Sequence, residues 1–276
     1  MSSVDELLAG SALSLSEARI LFGHALRVGP PWIIAHGRDP VADGDARAVE
    51  ALYARRRAGE PIAYLTGERE FRGLSLFVNP EVLIPRPETE LVVEQVLAIV
   101  SGRTAARILE LGTGSGAIAV AVAHARPEAE VWASDTSADA IEIASANAAR
   151  HAVSIRFIRG DWLDALGEER FNVIASNPPY VPEGDPHLAQ GDLRYEPRAA
   201  LVGGADGLDC IRRIASDARK HLVPGGWLVL EHGFDQGPAC VQLLTGLGYT
   251  TVSDTDDLAG LARVCKGQFD EVRGAG

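Results

Sequence analysis

The sequence is poor in the residues that form covalent or metal cross-links. Only three of its 276 residues are cysteines, namely Cys210, Cys240 and Cys265, and no two of them form a C-x-x-C pair. This odd, scattered set predicts neither a disulfide framework nor a zinc site, and the spacing of the histidines suggests no metal either. Such cysteine usage is typical of the reducing cytosol, so a cytoplasmic location is expected.

Long apolar runs are also missing. The most apolar stretch, residues 108–123, is interrupted by Glu110 and by three glycines, which makes it too short and too polar to span a bilayer. The first ten residues lack the basic and apolar regions of a signal peptide. The sequence therefore predicts no association with a membrane.

Positive charge is scarce as well. The chain has 26 Lys and Arg residues against 38 Asp and Glu residues, a formal net charge of −12. Because phosphate binding requires a positive field, this balance argues against a protein whose main task is to hold nucleic acid. Hydrophobic residues make up 46% and charged residues 23%, which is ordinary for a globular protein and excludes a disordered or collagen-like chain.

Residues 1–68 predict a small domain of short helices. Ser14 and Glu17 form a capping box, and apolar residues follow it at helical spacing. Further helices are expected over residues 45–58 and 61–66, each of which ends before a glycine.

Residues 69–86 predict a β-hairpin that links this domain to the next. We expect one strand between residues 71 and 78, a turn at Asn79 and Pro80, and a second strand over residues 82–84. A helix is then expected to begin at Pro87.

The rest of the chain, residues 87–276, alternates strand and helix patterns. Several of the strands are continuous apolar runs, as in a parallel sheet covered on both faces. The fold class is therefore α/β with a doubly wound sheet. Seven strands are expected, over residues 107–111, 130–134, 155–158, 171–176, 227–231, 249–253 and 263–266.

A glycine-rich turn after the first of these strands predicts a nucleotide-type ligand. Glycines let a backbone approach a ligand closely, and the helix that follows offers unpaired N–H groups. Asp135 ends the next strand, where a carboxylate can accept hydrogen bonds from ribose hydroxyls. The turn contains Glu110, Gly112, Thr113, Gly114, Ser115 and Gly116.

Two details favour S-adenosylmethionine over a dinucleotide as that ligand. Glu110 suits an ammonium or sulfonium group but would repel a pyrophosphate. Asp161 and Trp162, after the third strand of the sheet, can hold an adenine by its exocyclic amine and its face, although Trp162 taken alone fits a buried structural tryptophan nearly as well. Because residues 114–119 also fit the pattern G-x-G-x-x-A, a nicotinamide enzyme or a non-catalytic nucleoside-binding module remains open.

The tetrapeptide Asn177-Pro178-Pro179-Tyr180 follows the fourth strand of the sheet, at the edge where open α/β sheets bind ligands. The Asn177 side-chain oxygen and the Pro178 carbonyl can accept both protons of a planar –NH2 group, and Tyr180 can cover its face. Two fixed acceptors would orient such a weak nucleophile toward a methyl donor. These residues are the catalytic and substrate-binding candidates.

Together these motifs resemble class I S-adenosylmethionine-dependent methyltransferases that modify planar amino groups, with a Rossmann-like fold of seven strands. Within that class, the sequence V-L-I-P-R-P-E-T-E at residues 82–90 resembles the release factor glutamine methyltransferases of the HemK/PrmC type. Further similarity lies in residues 185–188, 195–201, 230–233 and 257–264, and the match covers nearly the whole chain.

The resemblance implies an enzyme that methylates the glutamine amide of the G-G-Q motif in bacterial peptide chain release factors, which act in translation termination. It places residues 112–116, Asp135 and Trp162 on the cofactor and residues 177–180 on the glutamine, with Asn177 near both. Residues 1–68 are then expected to recognise the release factor, and no direct contact with nucleic acid is expected.

Some assignments stay open. Methyltransferases of nucleic-acid adenine or of ribosomal-protein glutamine share the tetrapeptide, although the acidic charge and the lack of a basic or aromatic recognition region count against nucleic acid. Arg86 and Glu88 belong either to the substrate side of the pocket or to a structural ion pair. His232 is favoured as a structural residue, because methyl transfer to an amide scarcely needs a general base.

Overall fold

The computed structural model describes residues 2–270 and divides the chain into two compact units. The first comprises the chain up to Glu68 together with Ala189–Tyr195, and the second comprises Arg69–Leu188 and the chain from Glu196 onward. Within residues 2–270, every helix is too short or too polar to cross a bilayer.

The first unit is helical, as its sequence pattern predicts. Its central contact joins two helices, where the Tyr53 hydroxyl donates to the Ala18 carbonyl at 3.0 Å. The expected capping box of Ser14 and Glu17 is confirmed, and Ser3 and Glu6 form a second one. The helices are α1 (Val4–Gly10), α2 (Leu15–Leu26), α3 (Pro30–Ala35), α4 (Asp43–Arg57) and α5 (Ile62–Thr66).

The segment Ala189–Tyr195 is distant in sequence from the helices but packs with them. Arg194 and Tyr195 each donate a side-chain hydrogen bond of 2.8 Å to the carbonyl of Ala58, and Arg56 pairs with Asp192 at 3.2 Å. These bonds satisfy the exposed C-terminal end of α4. The first unit is therefore completed by a piece of chain that follows the tetrapeptide 177–180.

The β-hairpin is present, but the expected position of its second strand is wrong. Strands β1 (Glu68–Phe71) and β2 (Leu74–Phe77) are joined by Arg72 and Gly73, which both have positive φ angles, 50° and 77°. This two-residue turn matches the twist of paired strands, and so the hairpin closes seven residues earlier than predicted. Residues 82–86 form no strand, and a 3-10 turn over Pro87–Thr89 leads into α6 (Glu90–Val100).

The second unit contains the seven-stranded sheet that the sequence predicts. Its strands are β3 (Arg107–Leu111), β4 (Glu130–Asp135), β5 (Ile155–Arg159), β6 (Phe171–Ser176), β7 (Leu222–Glu231), β8 (Thr250–Asp256) and β9 (Ala262–Phe269). The order is β5-β4-β3-β6-β7-β9-β8, with the first five parallel and β9 antiparallel to both neighbours.

Helices cover both faces of this sheet and build two apolar cores. Helices α6, α7 (Ala117–Ala125) and α8 (Ala138–Arg150) pack on one face, and α9 (Asp209–Ala218) and α10 (Gly237–Gly246) on the other. Covered faces explain why the central strands read as continuous apolar runs.

Asn147 of α8 ties the hairpin to the glycine-rich turn. Its side chain is fully buried, accepts from the Phe77 amide at 2.7 Å, and donates to the carbonyls of Phe77 and Ser115 at 3.0 and 2.8 Å. One amide side chain thus satisfies three backbone groups.

Replacing Asn147 with alanine is expected to destabilise the second unit by about 2–4 kcal/mol, because the buried Ser115 carbonyl and two part-buried backbone groups of Phe77 lose their partner. Urea unfolding followed by tryptophan fluorescence measures this change. The matched control is Asn79→Ala, which removes an exposed side chain that accepts from the Glu81 amide in a turn and should cost less than about 1 kcal/mol. Equal losses in the two variants would contradict the proposed anchoring.

Candidate active site

The register of four parallel strands places the candidate residues in one row. Leu111 of β3 pairs with Ser134 of β4 and with Ser176 of β6, and Ser176 pairs with Leu230 of β7. The residues that come next in these strands are Asp135, Gly112, Asn177 and Glu231. Since parallel strands end at the same edge, three sequence-predicted residues become neighbours, and Glu231 joins them.

The Asp135 carboxylate organises the glycine-rich turn. It accepts from the Gly114 amide and from the Ser137 amide, both at 2.9 Å. Gly112, Gly114 and Gly116 all have positive φ angles, of 66°, 53° and 83°. This conformation is readily adopted by glycine and leaves the backbone open to a close-lying ligand.

A cavity of about 310 Å³ lies at this edge of the sheet. Of the sequence-predicted residues it is lined by Gly112, Gly114, Asp135, Trp162, Asn177 and Pro179. Trp162 is held in the left-handed region at φ 51°, and a Cβ atom on Gly112 would lie only 3.3 Å from its ring. The absence of a side chain at Gly112 therefore allows the indole to close one wall of the cavity.

Glu110 lies beneath the glycine-rich turn and does not line the cavity. Its Oε2 accepts from the Thr113 hydroxyl at 2.5 Å and from the Ala119 amide at 2.9 Å. The residue is 3% exposed, and this burial raises the pKa of its carboxyl to about 8, against the lowering effect of its two donors. The observed contacts give Glu110 a role in shaping the turn and the start of α7.

Asp161 forms an ion pair and does not line the cavity. Its carboxylate lies 2.8 Å from the Arg213 guanidinium of α9, and the same arginine contacts Asp164 at 3.0 Å. Asp161 is not among the residues that line the cavity, whereas its neighbour Trp162 is.

The Asn177 amide is oriented by a residue that the sequence pattern did not single out. Its Nδ2 donates to the Thr89 hydroxyl at 3.0 Å, and its Oδ1 accepts no hydrogen bond from any residue between 2 and 270. Thr89 is buried and belongs to the segment that resembles the release factor enzymes. The arrangement leaves one acceptor of Asn177 for a ligand in the cavity.

Tyr180 is held in place by Glu231 and Gln236. Its hydroxyl donates to Glu231 Oε1 at 3.1 Å, and its carbonyl accepts from the Gln236 side chain at 3.0 Å. Glu231 is 0% exposed, and burial raises the pKa of its carboxyl to about 7, although the nearby hydroxyls of Thr89 and Tyr180 act in the opposite direction. The sequence pattern did not single out Glu231 as a site residue. The signal that could have done so is a charged residue at the end of an apolar strand, at the edge of the sheet where ligands bind.

The ion pair considered between Arg86 and Glu88 is not formed. Arg86 instead pairs with Glu196, a buried carboxylate that also accepts from the Ile84 amide at 3.1 Å. His232 is fully buried, with Nε2 3.0 Å from Asp254 and Nδ1 2.8 Å from the Gly233 carbonyl, which supports the structural reading of this residue.

The buried Glu110 carboxyl predicts a pH-dependent stability. Its folded-state pKa of about 8 lies above the unfolded value near 4.5, so the folded protein loses stability as pH rises through this interval. Glu110→Gln removes this loss. The difference between its melting temperature and that of the wild type should therefore increase by several degrees in favour of the variant between pH 5 and pH 8.5. Thermal unfolding of the ligand-free proteins measures this difference.

Glu183→Gln serves as the control for that measurement, since it removes an exposed carboxylate. Its melting temperature should follow that of the wild type at every pH. If the Glu110→Gln curve also runs parallel to the wild-type curve, Glu110 is already ionised in the folded protein and the prediction is wrong.

Comparison with known proteins gives a consistent identity to residues 5–67 and to residues 88–191. Residues 5–67 match the family described as PrmC N-terminal domain, and residues 88–191 match Methyltransferase small domain. A methyltransferase of Pyrococcus furiosus has a similar fold, with a TM-score of 0.56 and 22% identity over 79% of this chain and 98% of that chain. A 16S rRNA N2 methyltransferase of T. Thermophilus, solved with AdoMet and guanosine, has a TM-score of 0.55 and 20% identity over 73% of this chain and 49% of that chain.

Full-length relatives are much closer in sequence. The release factor glutamine methyltransferase of Bordetella pertussis is 49% identical over 268 residues, which cover 97% of this chain and 99% of that protein. The Escherichia coli enzyme of the same name is 46% identical over 254 residues, or 92% and 91% of the two chains. At this identity and coverage, the chain belongs to the release factor glutamine methyltransferase family.

Proposed function

We propose that this protein transfers a methyl group from S-adenosylmethionine to the side-chain amide nitrogen of the glutamine in the G-G-Q motif of bacterial release factors. The observation that carries the proposal is the free Oδ1 of Asn177, an acceptor fixed beside the cavity formed by Gly112, Gly114 and Asp135. Membership of the family supports the same reaction and substrate.

The cavity suits S-adenosylmethionine in size and chemistry. Small-molecule sites typically enclose about 300–1,000 Å³, and this one has about 310 Å³. The residues that would hold the cofactor are the turn 112–116, Asp135 as an acceptor for the ribose, and Trp162 beside the adenine. When bound, S-adenosylmethionine supplies an electrophilic methyl group.

The tetrapeptide would hold and orient the glutamine amide. An amide nitrogen is a weak nucleophile because its lone pair is delocalised into the carbonyl. Acceptors at Asn177 Oδ1 and the Pro178 carbonyl draw charge onto that nitrogen and fix its direction, while the Tyr180 ring covers the flat face. Catalysis in this scheme is achieved by positioning and electrostatics.

The proposed reaction does not require a general base. His232 has both ring nitrogens occupied by Asp254 and Gly233. The amide nitrogen becomes strongly acidic once it carries the methyl group, so its extra proton can pass to water after transfer. Arg86, paired with Glu196, is left to shape the loop that precedes Thr89.

The first unit is proposed to recognise the body of the release factor. A free glutamine would fill the cavity without it, so contacts away from the reacting amide must select the protein substrate. Three large apolar side chains of this unit are exposed, Leu15 by 53%, Ile20 by 46% and Ile34 by 69%, as expected for part of a protein-binding surface.

Intact-mass analysis of a purified release factor incubated with this protein and S-adenosylmethionine tests the proposed reaction. A gain of one methyl group, localised by fragmentation to the glutamine of the G-G-Q motif, is expected. Parallel incubations with a ribosomal protein and with adenine-containing DNA and RNA test the alternative substrates. Methylation of these and not of the release factor would refute the proposal.

Asn177→Ala is expected to lower the rate of methyl transfer by roughly 10²–10³-fold, because one of two acceptors for the amide is lost. The control is Asn172→Ala, which removes an asparagine from the opposite end of β6 that accepts from the Arg107 amide. Calorimetric titration with S-adenosylmethionine and melting temperatures verify that both variants bind cofactor and fold. Wild-type turnover in Asn177→Ala would remove this residue from the mechanism.

The double variant Ile20→Ser with Ile34→Ser is expected to raise the KM for the release factor about tenfold and to leave kcat unchanged. Methylation of a short G-G-Q peptide should be unaffected, since such a peptide lacks the body of the release factor. Leu258→Ser, which alters a fully exposed leucine of the second unit, is the matched control. An unchanged KM for the double variant would place recognition elsewhere.

A further inference from the structure

We propose that Glu231 is a positioning residue, whose ionised carboxylate acts through Thr89 to keep the Asn177 side-chain oxygen turned toward the substrate amide. This inference rests on the proposed function, in which Asn177 Oδ1 accepts from the target –NH2 group.

Glu231 is placed by the sheet directly behind the tetrapeptide. It ends β7 in the row that contains Asn177, and none of its side chain is exposed. Its Oε1 accepts from the Tyr180 hydroxyl at 3.1 Å, whereas its Oε2 is buried and makes no hydrogen bond in the described structure. A buried acceptor of this kind demands a donor from its surroundings.

The Thr89 hydroxyl is the donor that can meet this demand. Its oxygen already accepts from Asn177 Nδ2 at 3.0 Å, which leaves its single proton to be given to another group. The Glu231 carboxyl is its neighbour and is affected by it, since the Thr89 hydroxyl lowers the pKa of that carboxyl. Hydrogen-bond donation thus has one direction, because Asn177 donates to Thr89 and Thr89 donates to Glu231.

This direction decides which end of the Asn177 amide faces the cavity. The two ends of a carboxamide have nearly the same shape, so only their hydrogen-bond partners distinguish them. With Glu231 ionised, Thr89 must donate to it and can only accept from Asn177, which leaves Oδ1 free for the substrate. With Glu231 protonated, the carboxyl can donate to Thr89, whose own proton can then go to Asn177 Oδ1, so the NH2 group faces the cavity.

Burial and the charges around Glu231 bring the pKa of its carboxyl close to neutral pH. Burial and the carboxylate of Glu88 favour the protonated form, and Arg263 of β9 favours the ionised form. Arg263 is shared with Asp257, and the neighbouring His232 is occupied by Asp254. The resulting pKa of about 7 means that the active arrangement is gained as pH rises through 7 and lost below it.

Kinetics of four variants test the inference. Glu231→Gln and Thr89→Val should each lower kcat about 10–100-fold without a matching change in the affinity for S-adenosylmethionine. Thr89→Ser, which keeps the hydroxyl, should restore most of the rate, and the exposed control Glu183→Gln should behave as wild type. The wild-type kcat should fall on the acid side of a pKa near 7, whereas that of Glu231→Gln should be low and flat.

A measurement without substrate separates this inference from the proposed reaction. The side-chain NH2 signals of Asn177 in nitrogen-15 spectra, assigned by their loss in Asn177→Ala, should titrate with a midpoint near pH 7 in the wild type. They should not titrate in Glu231→Gln or Thr89→Val. This result is expected even if the release factor proves not to be the substrate.

Two outcomes would overturn the inference. One is an Asn177 signal that titrates equally in the wild type and in Glu231→Gln, and the other is an unchanged acid limb of kcat in that variant. Loss of folding does not obscure either result, because Glu231→Gln removes a desolvated charge and should melt no lower than the wild type at pH 8. A lower melting temperature at pH 8 would itself show that Glu231 is a structural anchor.

Discussion

The parallel register of β4, β3, β6 and β7 is the constraint on which the rest of the site depends. Each strand ends at the same edge, so the chain delivers Asp135, Gly112, Asn177 and Glu231 as a row of neighbours from four distant parts of the sequence. A shift of one residue in any strand would turn its terminal side chain to the other face of the sheet. The apolar residues that fix the register are thus as necessary to the site as its polar groups.

Much of this arrangement was predictable because it is written in local patterns. Each pattern predicts the structure of its own segment. This applies to the continuous apolar strands, to the glycine-rich turn and to the Asn-Pro-Pro-Tyr sequence. The hairpin turn was misplaced because Arg72, a residue without turn preference, takes a positive φ beside Gly73. The Asn79-Pro80 pair gave a stronger but misleading turn signal.

Other features could not be read from the sequence because they depend on contacts between distant residues. Asp161 belongs to an ion pair with Arg213, and Arg86 reaches Glu196 instead of the nearby Glu88. Thr89 and Glu231 lie in segments that resemble the release factor glutamine methyltransferases, but their roles depend on their burial and on their proximity to each other. The sequence predicts that Glu231 ends an apolar strand, but it does not predict that the Glu231 Oε2 atom is buried without a hydrogen-bond partner in the described structure.

Buried carboxylates are costly to stability, yet this edge of the sheet contains three of them: Glu110, Glu196 and Glu231. Two organise backbone, since Glu110 accepts from the Ala119 amide in the first turn of α7 and Glu196 accepts from the Ile84 amide. Among residues 2–270, Glu231 has no comparable backbone partner, and its free energy of burial is not offset by a structural contact of that kind.

The chemistry of the proposed reaction gives such a group a use. Methyl transfer to an amide needs no base, so the protein contributes mainly by fixing acceptors in space. An asparagine is an ambiguous tool for this task, because a half-turn of its amide replaces the required acceptor with a donor. A hydroxyl cannot remove that ambiguity alone, since it can both donate and accept. An ionised carboxylate can only accept, and therefore it gives the whole chain of hydrogen bonds a direction.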